Sequence, residues 1–112
     1  MNRRLMIAIL GLGLALFAAP GISFSAEDHV AEAIEHTKEA IDQGKKGDAA
    51  ALAEHASTAL EHAQDAQKEK PNKHVKAGVK HLKQAIAQGK KGHAPAGVKH
   101  AEEALKHLEE AK

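Results

Sequence analysis

Sulfur and aromatic side chains are nearly absent from this chain. It has no cysteine, tryptophan or tyrosine, and both methionines and both phenylalanines (Met1, Met6, Phe17, Phe24) lie within the first 25 of its 112 residues. Without cysteine there is no disulfide framework, even in a compartment that would permit one. Without cysteine or internal methionine there is no soft sulfur ligand, so any metal must be taken by imidazole nitrogen and carboxylate oxygen. Without aromatic rings there is no stacking platform for bases. Nor is there a charge surplus: residues 26–112 carry 14 lysines against 15 Asp and Glu, a net charge of −1. That balance argues against nucleic acid as a partner.

The first 25 residues read as an address. Arg3 and Arg4 form a basic start, residues 5–19 are apolar, and Ser23-Phe24-Ser25 offers small residues at −3 and −1 of a cleavage site. The apolar run is about 15 residues, short for a membrane span, although an uncleaved anchor is the rival reading. The expectation is a signal peptide over 1–25, a mature domain over 26–112, export to a bacterial periplasm, and no membrane association once the leader is removed. A cut one residue later would expose Glu27-Asp28-His29, whose free amine and third-position imidazole could wrap Cu(II) or Ni(II) in a square plane. Phe24 at −3 argues against that cut.

What the chain does have is histidine in phase. His29, His36, His55, His62, His74, His81, His93, His100 and His107 all take the second place of a heptad, as in DHVAEAI, EHTKEAI, EHASTAL, KHVKAGV and KHAEEAL. Seven residues are two helical turns, so each set forms a stripe on one helix face with a spacing of about 10.5 Å. Residues 29–67 align without gaps on 74–112, with about half the positions identical. The pattern is that of a duplicated helical hairpin.

Four helices follow, the first over about residues 27–43 with Gly44 as its C′ residue, the second fading near Gln67. Asp48 and Asn72 suit N-caps, and Pro95 suits the first turn of the fourth helix. Gly44-Lys45-Lys46-Gly47 and Gly89-Lys90-Lys91-Gly92 are short turns, so neighbours are antiparallel and the fold class is all-α, an up-down-up-down four-helix bundle. The position after histidine, the Ala or Gly position and the last heptad position make one apolar face. Histidine sits at its rim, reachable by water.

Two histidines seven residues apart are too distant to share an ion, because metal–nitrogen bonds near 2.0–2.1 Å need donors within about 4 Å of one another. A site must recruit a carboxylate one turn away or a histidine from the next helix. The i,i+3 pairs are His29/Glu32, His36/Glu39, His62/Asp65, His100/Glu103 and His107/Glu110. Glu32 also precedes His36 by four residues, and Glu103 precedes His107 by four. Either route gives several modest, open His/carboxylate sites, a donor set that suits Cu(II), Ni(II) and Zn(II) better than Cu(I). No Ser/His/Asp or Cys/His arrangement and no phosphate-binding loop on a strand–helix junction accompanies them, so no enzyme is expected.

The leader, the sulfur-free remainder, the phased histidines, the duplicated hairpin and the Gly-Lys-Lys-Gly turns together resemble the small metal-binding protein family of the bacterial periplasm. The resemblance covers residues 27–112, and VKHAEEALKHLEE is its most specific stretch. It implies a monomeric bundle that binds several divalent metals, copper foremost, through the nine histidines, and that serves copper handling. Asp48, standing where the other half has His93, and Gln67, breaking the apolar position, depart from the pattern and bear on site number. Two other readings of the residues stay open. One is a pH-responsive bundle with a stress or chaperone role, since nine imidazoles could charge in mild acid. The other is a scaffold that binds partners through its apolar seam.

Overall fold

The computed structural model describes residues 24–112. The leader expected over 1–25 therefore lies outside the described residues, except for Phe24 and Ser25. Four helices follow in order: α1 Ala26–Lys45, α2 Ala49–Glu69, α3 Lys73–Lys90 and α4 Ala94–Glu110. Each packs on the next, and α4 closes back on α1; α2 and α4 also touch across the diagonal. This is the expected antiparallel four-helix bundle. No helix among the described residues is long and apolar enough to cross a membrane.

Local chemistry sets the helix starts. Ser25 forms a capping box with Asp28: its Oγ accepts from the Asp28 N–H at 3.1 Å, and Asp28 accepts from the Ser25 N–H at 3.1 Å. Asp48 accepts from the Ala51 N–H at 3.0 Å. Asn72 accepts from His74 and Val75, and its own N–H donates to Gln67 Oε1 at 3.0 Å, which ties the α2–α3 link to the end of α2. His93 occupies the N-cap of α4 without a side-chain cap bond, and Pro95 falls in the first turn.

The helix ends correct the expectation. Gly44 is not the residue after α1 but a buried residue inside it; α1 runs on to Lys45, and the left-handed turn conformation falls on Gly47, at φ 86°. Gly92 does the same after α3, at φ 82°. Packing explains the shift. A Cβ on Gly44 would run into Leu52 Cδ1 of α2 and Val98 Cγ2 of α4, so glycine lets three helices close together at this end of the bundle. The second helix likewise extends past Gln67, to Glu69.

The heptad governs burial. Every residue that follows a histidine is buried, from Val30 and Thr37 through Leu82 to Leu108. The Ala or Gly position is buried in eight of nine heptads, Ala111 being the half-exposed exception. The last position behaves differently: Ile34 and Ile41 are buried, but Leu60, Val79, Ile86, Val98 and Leu105 are only partly so and pack against the outside of the core. At 100° per residue the two most buried positions centre about 70° from histidine on one side and 70° from the last position on the other. Each helix therefore has a narrow interior stripe of small residues, flanked by imidazole on one side and aliphatic carbon on the other. Thr37 is the one polar side chain buried among them, and its Oγ1 donates to Ala33 O at 2.6 Å.

Candidate metal centre

Antiparallel neighbours face each other with the same flank. The histidine flanks of α1 and α2 therefore meet in one seam, and those of α3 and α4 in another. The two seams lie on opposite sides of the bundle, since the α2–α3 and α1–α4 contacts separate them. Rings meet across each seam. His29 and His62 have centroids 5.3 Å apart, with their Nδ1 atoms at 3.1 Å. His36 lies 5.8 Å from His62, nearly parallel, and 6.4 Å from His55. In the other seam His81 lies 5.3 Å from His107, also nearly parallel, and 6.3 Å from His100.

Carboxylates complete four three-donor groups among the described residues. They are Glu32/His36/His62 and His36/Glu39/His55 in the α1–α2 seam, and His74/His107/Glu110 and His81/Glu103/His107 in the α3–α4 seam. Within each group one ligand atom per residue lies within 4.8 Å of the others. Glu39 is the tightest link: its Oε1 is 3.2 Å from His36 Nδ1 on its own helix and 3.2 Å from His55 Nδ1 on α2. Glu110 plays the same part between His74 at 3.3 Å and His107 at 3.7 Å. The groups thus use both routes to a donor set at once, a carboxylate one turn along and a histidine from the next helix.

The donor chemistry fits a divalent ion. Each group offers two imidazoles and one carboxylate, a nitrogen and oxygen set that suits first-row divalent ions. The histidines of the groups and Glu32 are half-buried, while Glu39, Glu103 and Glu110 are exposed, so three of the four groups are reached by solvent on their carboxylate side. His36 Nδ1, His81 Nδ1 and His107 Nδ1 are buried from solvent without an aligned hydrogen-bond partner. Glu39 and Glu110 stand near the first and third of these, whereas His81 Nδ1 has no such neighbour; a buried polar atom without a partner is costly, and a cation would satisfy it. Burial, more than any neighbour, holds His62 below the usual imidazole range; His29 and His36 add to this, while Glu32 and Asp65 oppose it. Burial does the same for His81, helped by His107, His100 and Lys80 and opposed by Glu103. A lowered pKa keeps the ring neutral, the form a metal needs.

The two seams are not equivalent. Along the 45-residue offset of the repeat, Glu32 becomes Ala77, Glu39 becomes Gln84, Thr58 becomes Glu103 and Asp65 becomes Glu110. Moving the carboxylates moves the histidine that two groups share, from His36 on α1 to His107 on α4. Charge separates the seams further. Residues 26–69 carry eleven Asp and Glu against four Lys, and residues 70–112 carry four Glu against ten Lys. The near-neutral chain is therefore an acidic hairpin packed on a basic one.

Of the fourteen residues singled out from sequence, ten enter these groups. The others are placed differently. His29 pairs with His62 and lies against Phe24, the rings tilted with centroids 5.2 Å apart. His100 lies beside His81, and Asp65 is exposed near His62. His93 is exposed in the α3–α4 turn, with its Nδ1 3.1 Å from Gln88 Oε1. What residue spacing alone missed is the reach of Glu39 and Glu110 across the seams. The signal was available: reflecting α2 through the midpoint of the Lys45-Lys46 turn sets His62 opposite His29 and His55 opposite His36. A cavity of about 310 Å³ lies elsewhere, at the end of the bundle where α1 begins and α2 ends; Val30, Ala66, Asn72 and Val75 are in its lining, and no histidine is.

No curated protein matches the chain. The family model described as small metal-binding protein, however, matches residues 4–111, which takes in all four helices and both histidine seams. Phased imidazoles, seam carboxylates and family agree, and the chain belongs to the small metal-binding protein family.

Proposed function

We propose that this protein buffers or sequesters divalent transition metals in the periplasm, chiefly Cu(II), with weaker binding of Ni(II) and Zn(II). One observation carries the reading: four half-buried His/His/carboxylate groups line two seams of a single small bundle. Several shallow sites suit storage and exchange better than a single closed cage would. Copper leads because, at a given nitrogen and oxygen donor set, Cu(II) binds most strongly of the first-row divalent ions. The absence of sulfur beyond residue 25 turns the preference away from Cu(I). The leader-like residues 1–25 support the periplasmic placement. The family and the donor groups support binding as the role, not turnover of a substrate, and a monomer is the working oligomeric state.

The test is calorimetric titration of the purified protein with Cu(II), Ni(II) and Zn(II) near neutral pH, with native mass spectrometry on the same samples. Several copper ions bound at about micromolar affinity or tighter, with nickel and zinc weaker, is the expected result. Copper held no more tightly than by free histidine in the same buffer would overturn the reading. Copper measured in the periplasmic fraction of cells with and without the protein tests the location and the storage role together.

A further inference from the structure

His36 belongs to two donor groups at once, and it faces them with different atoms. Its Nε2 lies 3.8 Å from Glu32 Oε1, on the side of the Glu32/His62 group. Its Nδ1 lies 3.2 Å from Glu39 Oε1, on the side of the Glu39/His55 group. The two nitrogens of an imidazole point in opposed directions in the ring plane, so both groups can be filled without His36 choosing between them. We propose that His36 bridges two divalent ions in the α1–α2 seam, making a dinuclear centre with Glu32 and His62 on one ion and Glu39 and His55 on the other. The proposal rests on the metal-binding reading above and specifies its stoichiometry and coordination.

The chemistry balances. With Cu(II), the first ion takes the lone pair of one ring nitrogen. As the second Cu–N bond forms, the other nitrogen loses its N–H proton to solvent, leaving two Cu(II) ions on one imidazolate; no electron moves. Metal–nitrogen bonds near 2.0 Å put the ions about 6 Å apart. Two dications at that distance repel, and the surroundings decide whether they are tolerated. The α1–α2 hairpin is the acidic one, and Glu32 and Glu39 each place a carboxylate directly at the ions. The α3–α4 hairpin also has a shared histidine, His107, but it lies in the basic half with ten lysines. There Glu103 and Glu110 supply the same two carboxylates, but the lysine excess of the hairpin opposes a second dication, so that seam is expected to hold one ion.

Stepwise loading of the purified protein with Cu(II) tests this, with copper counted by native mass spectrometry and unpaired spins by electron paramagnetic resonance. An imidazolate couples two Cu(II) spins antiferromagnetically, so the spin count per bound copper falls below one as the seam fills. His36→Ala loses two ions and restores full spin to the copper that remains, whereas His55→Ala, His62→Ala and His107→Ala lose one ion each. Glu39→Gln keeps the first ion and abolishes the coupling, which separates the bridge from a general loss of fold. Full spin on every bound copper at saturation, with His36→Ala losing no more ions than His55→Ala, overturns the bridge and leaves the metal-binding reading intact. No bound copper at all overturns both.

Discussion

Glu39 sits on α1 but is as close to His55 of α2 as to His36 on its own helix, with Oε1–Nδ1 distances of 3.2 Å in both directions. A carboxylate held between two imidazoles of different helices links the hairpin and offers a donor set together. The pair is partly solvent-exposed, so its worth to the metal-free fold is small, roughly 0–1 kcal/mol. Its worth to a bound ion is larger, because removing a charged ligand leaves a dication with two neutral donors.

Glu39→Gln therefore separates binding from stability. The expected result is the loss of one copper ion, or at least about a tenfold weakening equivalent to ~1.4 kcal/mol, with a thermal midpoint in chelator close to wild type. The second hairpin already carries this change, since Gln84 stands at the equivalent place with its Oε1 buried and without a partner. The reciprocal substitution, Gln84→Glu, should strengthen copper binding in the α3–α4 seam. Calorimetry and melting curves on the two variants check both; equal losses of binding and stability in Glu39→Gln would mean that the carboxylate is structural.

The glycines at the turn end of the bundle give a packing prediction. In Gly44→Ala the new methyl collides with Leu52 and Val98, both on other helices. Overpacking of this kind costs about 1–3 kcal/mol, which in a domain of this size lowers the midpoint by roughly 4–8 °C per kcal/mol. Gly47→Ala meets nothing within 4 Å and is strained only by its φ of 86°, at a cost nearer 1 kcal/mol. Thermal melts of the two variants should rank Gly44→Ala as the more damaging. The reverse order would place the stress in the turn.

Metal-free stability should depend on pH in a defined direction. The folded pKa of His62 and that of His81 lie below the ordinary imidazole value of 6.5, chiefly through burial. Between the folded value and 6.5 the unfolded chain binds more protons than the folded one, so their contribution to stability is complete above 6.5 and is lost as pH falls. In chelator, the wild-type melting midpoint should drop between about pH 7.5 and pH 5.5, and His62→Gln should drop less over the same range. Comparing the slopes of the two proteins isolates the part due to His62. A variant with the wild-type slope would remove His62 as a source. A bundle whose helical signal collapses in mild acid would instead favour the pH-responsive reading.

Much of this architecture could be read in residue order. The heptad located the interior positions, and the glycine-rich turns located the four helices. Rim placement of eight histidines followed from 100° per residue, and His93 departs because it caps α4 instead of lying within it. Less legible was whether Gly44 ends α1 or continues it. A glycine after a heptad signals both a helix stop and a tight crossing, and only the side chains of Leu52 and Val98 arriving from other helices decide. The sharing of His36 and of His107 was also hidden. It depends on the relative height of two helices, which one stripe does not contain, although the mirror symmetry about the turn does.

Metal loading should stabilise the fold in proportion to the sites filled. A ligand that binds only the folded state adds about 2.7 kcal/mol per independent site at a free concentration of one hundred times its Kd. Donors from both helices of a hairpin enter every group, so each ion staples two helices. The midpoint should rise with added Cu(II), more than with Zn(II) at equal concentration, and return to the metal-free value in chelator. At low ratios the acidic α1–α2 hairpin should fill first, so His62→Ala should blunt the early rise more than His81→Ala. Equal blunting would show that hairpin charge does not order the filling, as screening over about 8 Å at physiological salt could bring about.

The first helix makes the final prediction, because its cap lies in the expected leader. Ser25 Oγ accepts from Asp28 and the Ser25 N–H donates back to it, so a cut after Ser25 removes both bonds. The new amine on Ala26 then puts a positive charge at the positive end of the α1 dipole, which is unfavourable, though Glu27 and Asp28 in the first turn offset part of it. Loss of a cap costs about 1 kcal/mol. A chain beginning at Ala26 should therefore melt several degrees below one beginning at Phe24, with the deficit shrinking when Cu(II) staples α1 to α2. The same comparison tests whether Phe24, tilted against His29 at 5.2 Å and stacked on His62 at 6.0 Å, shields that histidine pair: copper binding should improve in the shorter chain even as its metal-free stability falls. Equal melting midpoints would show that the capping box frays in solution and that processing leaves the first helix untouched.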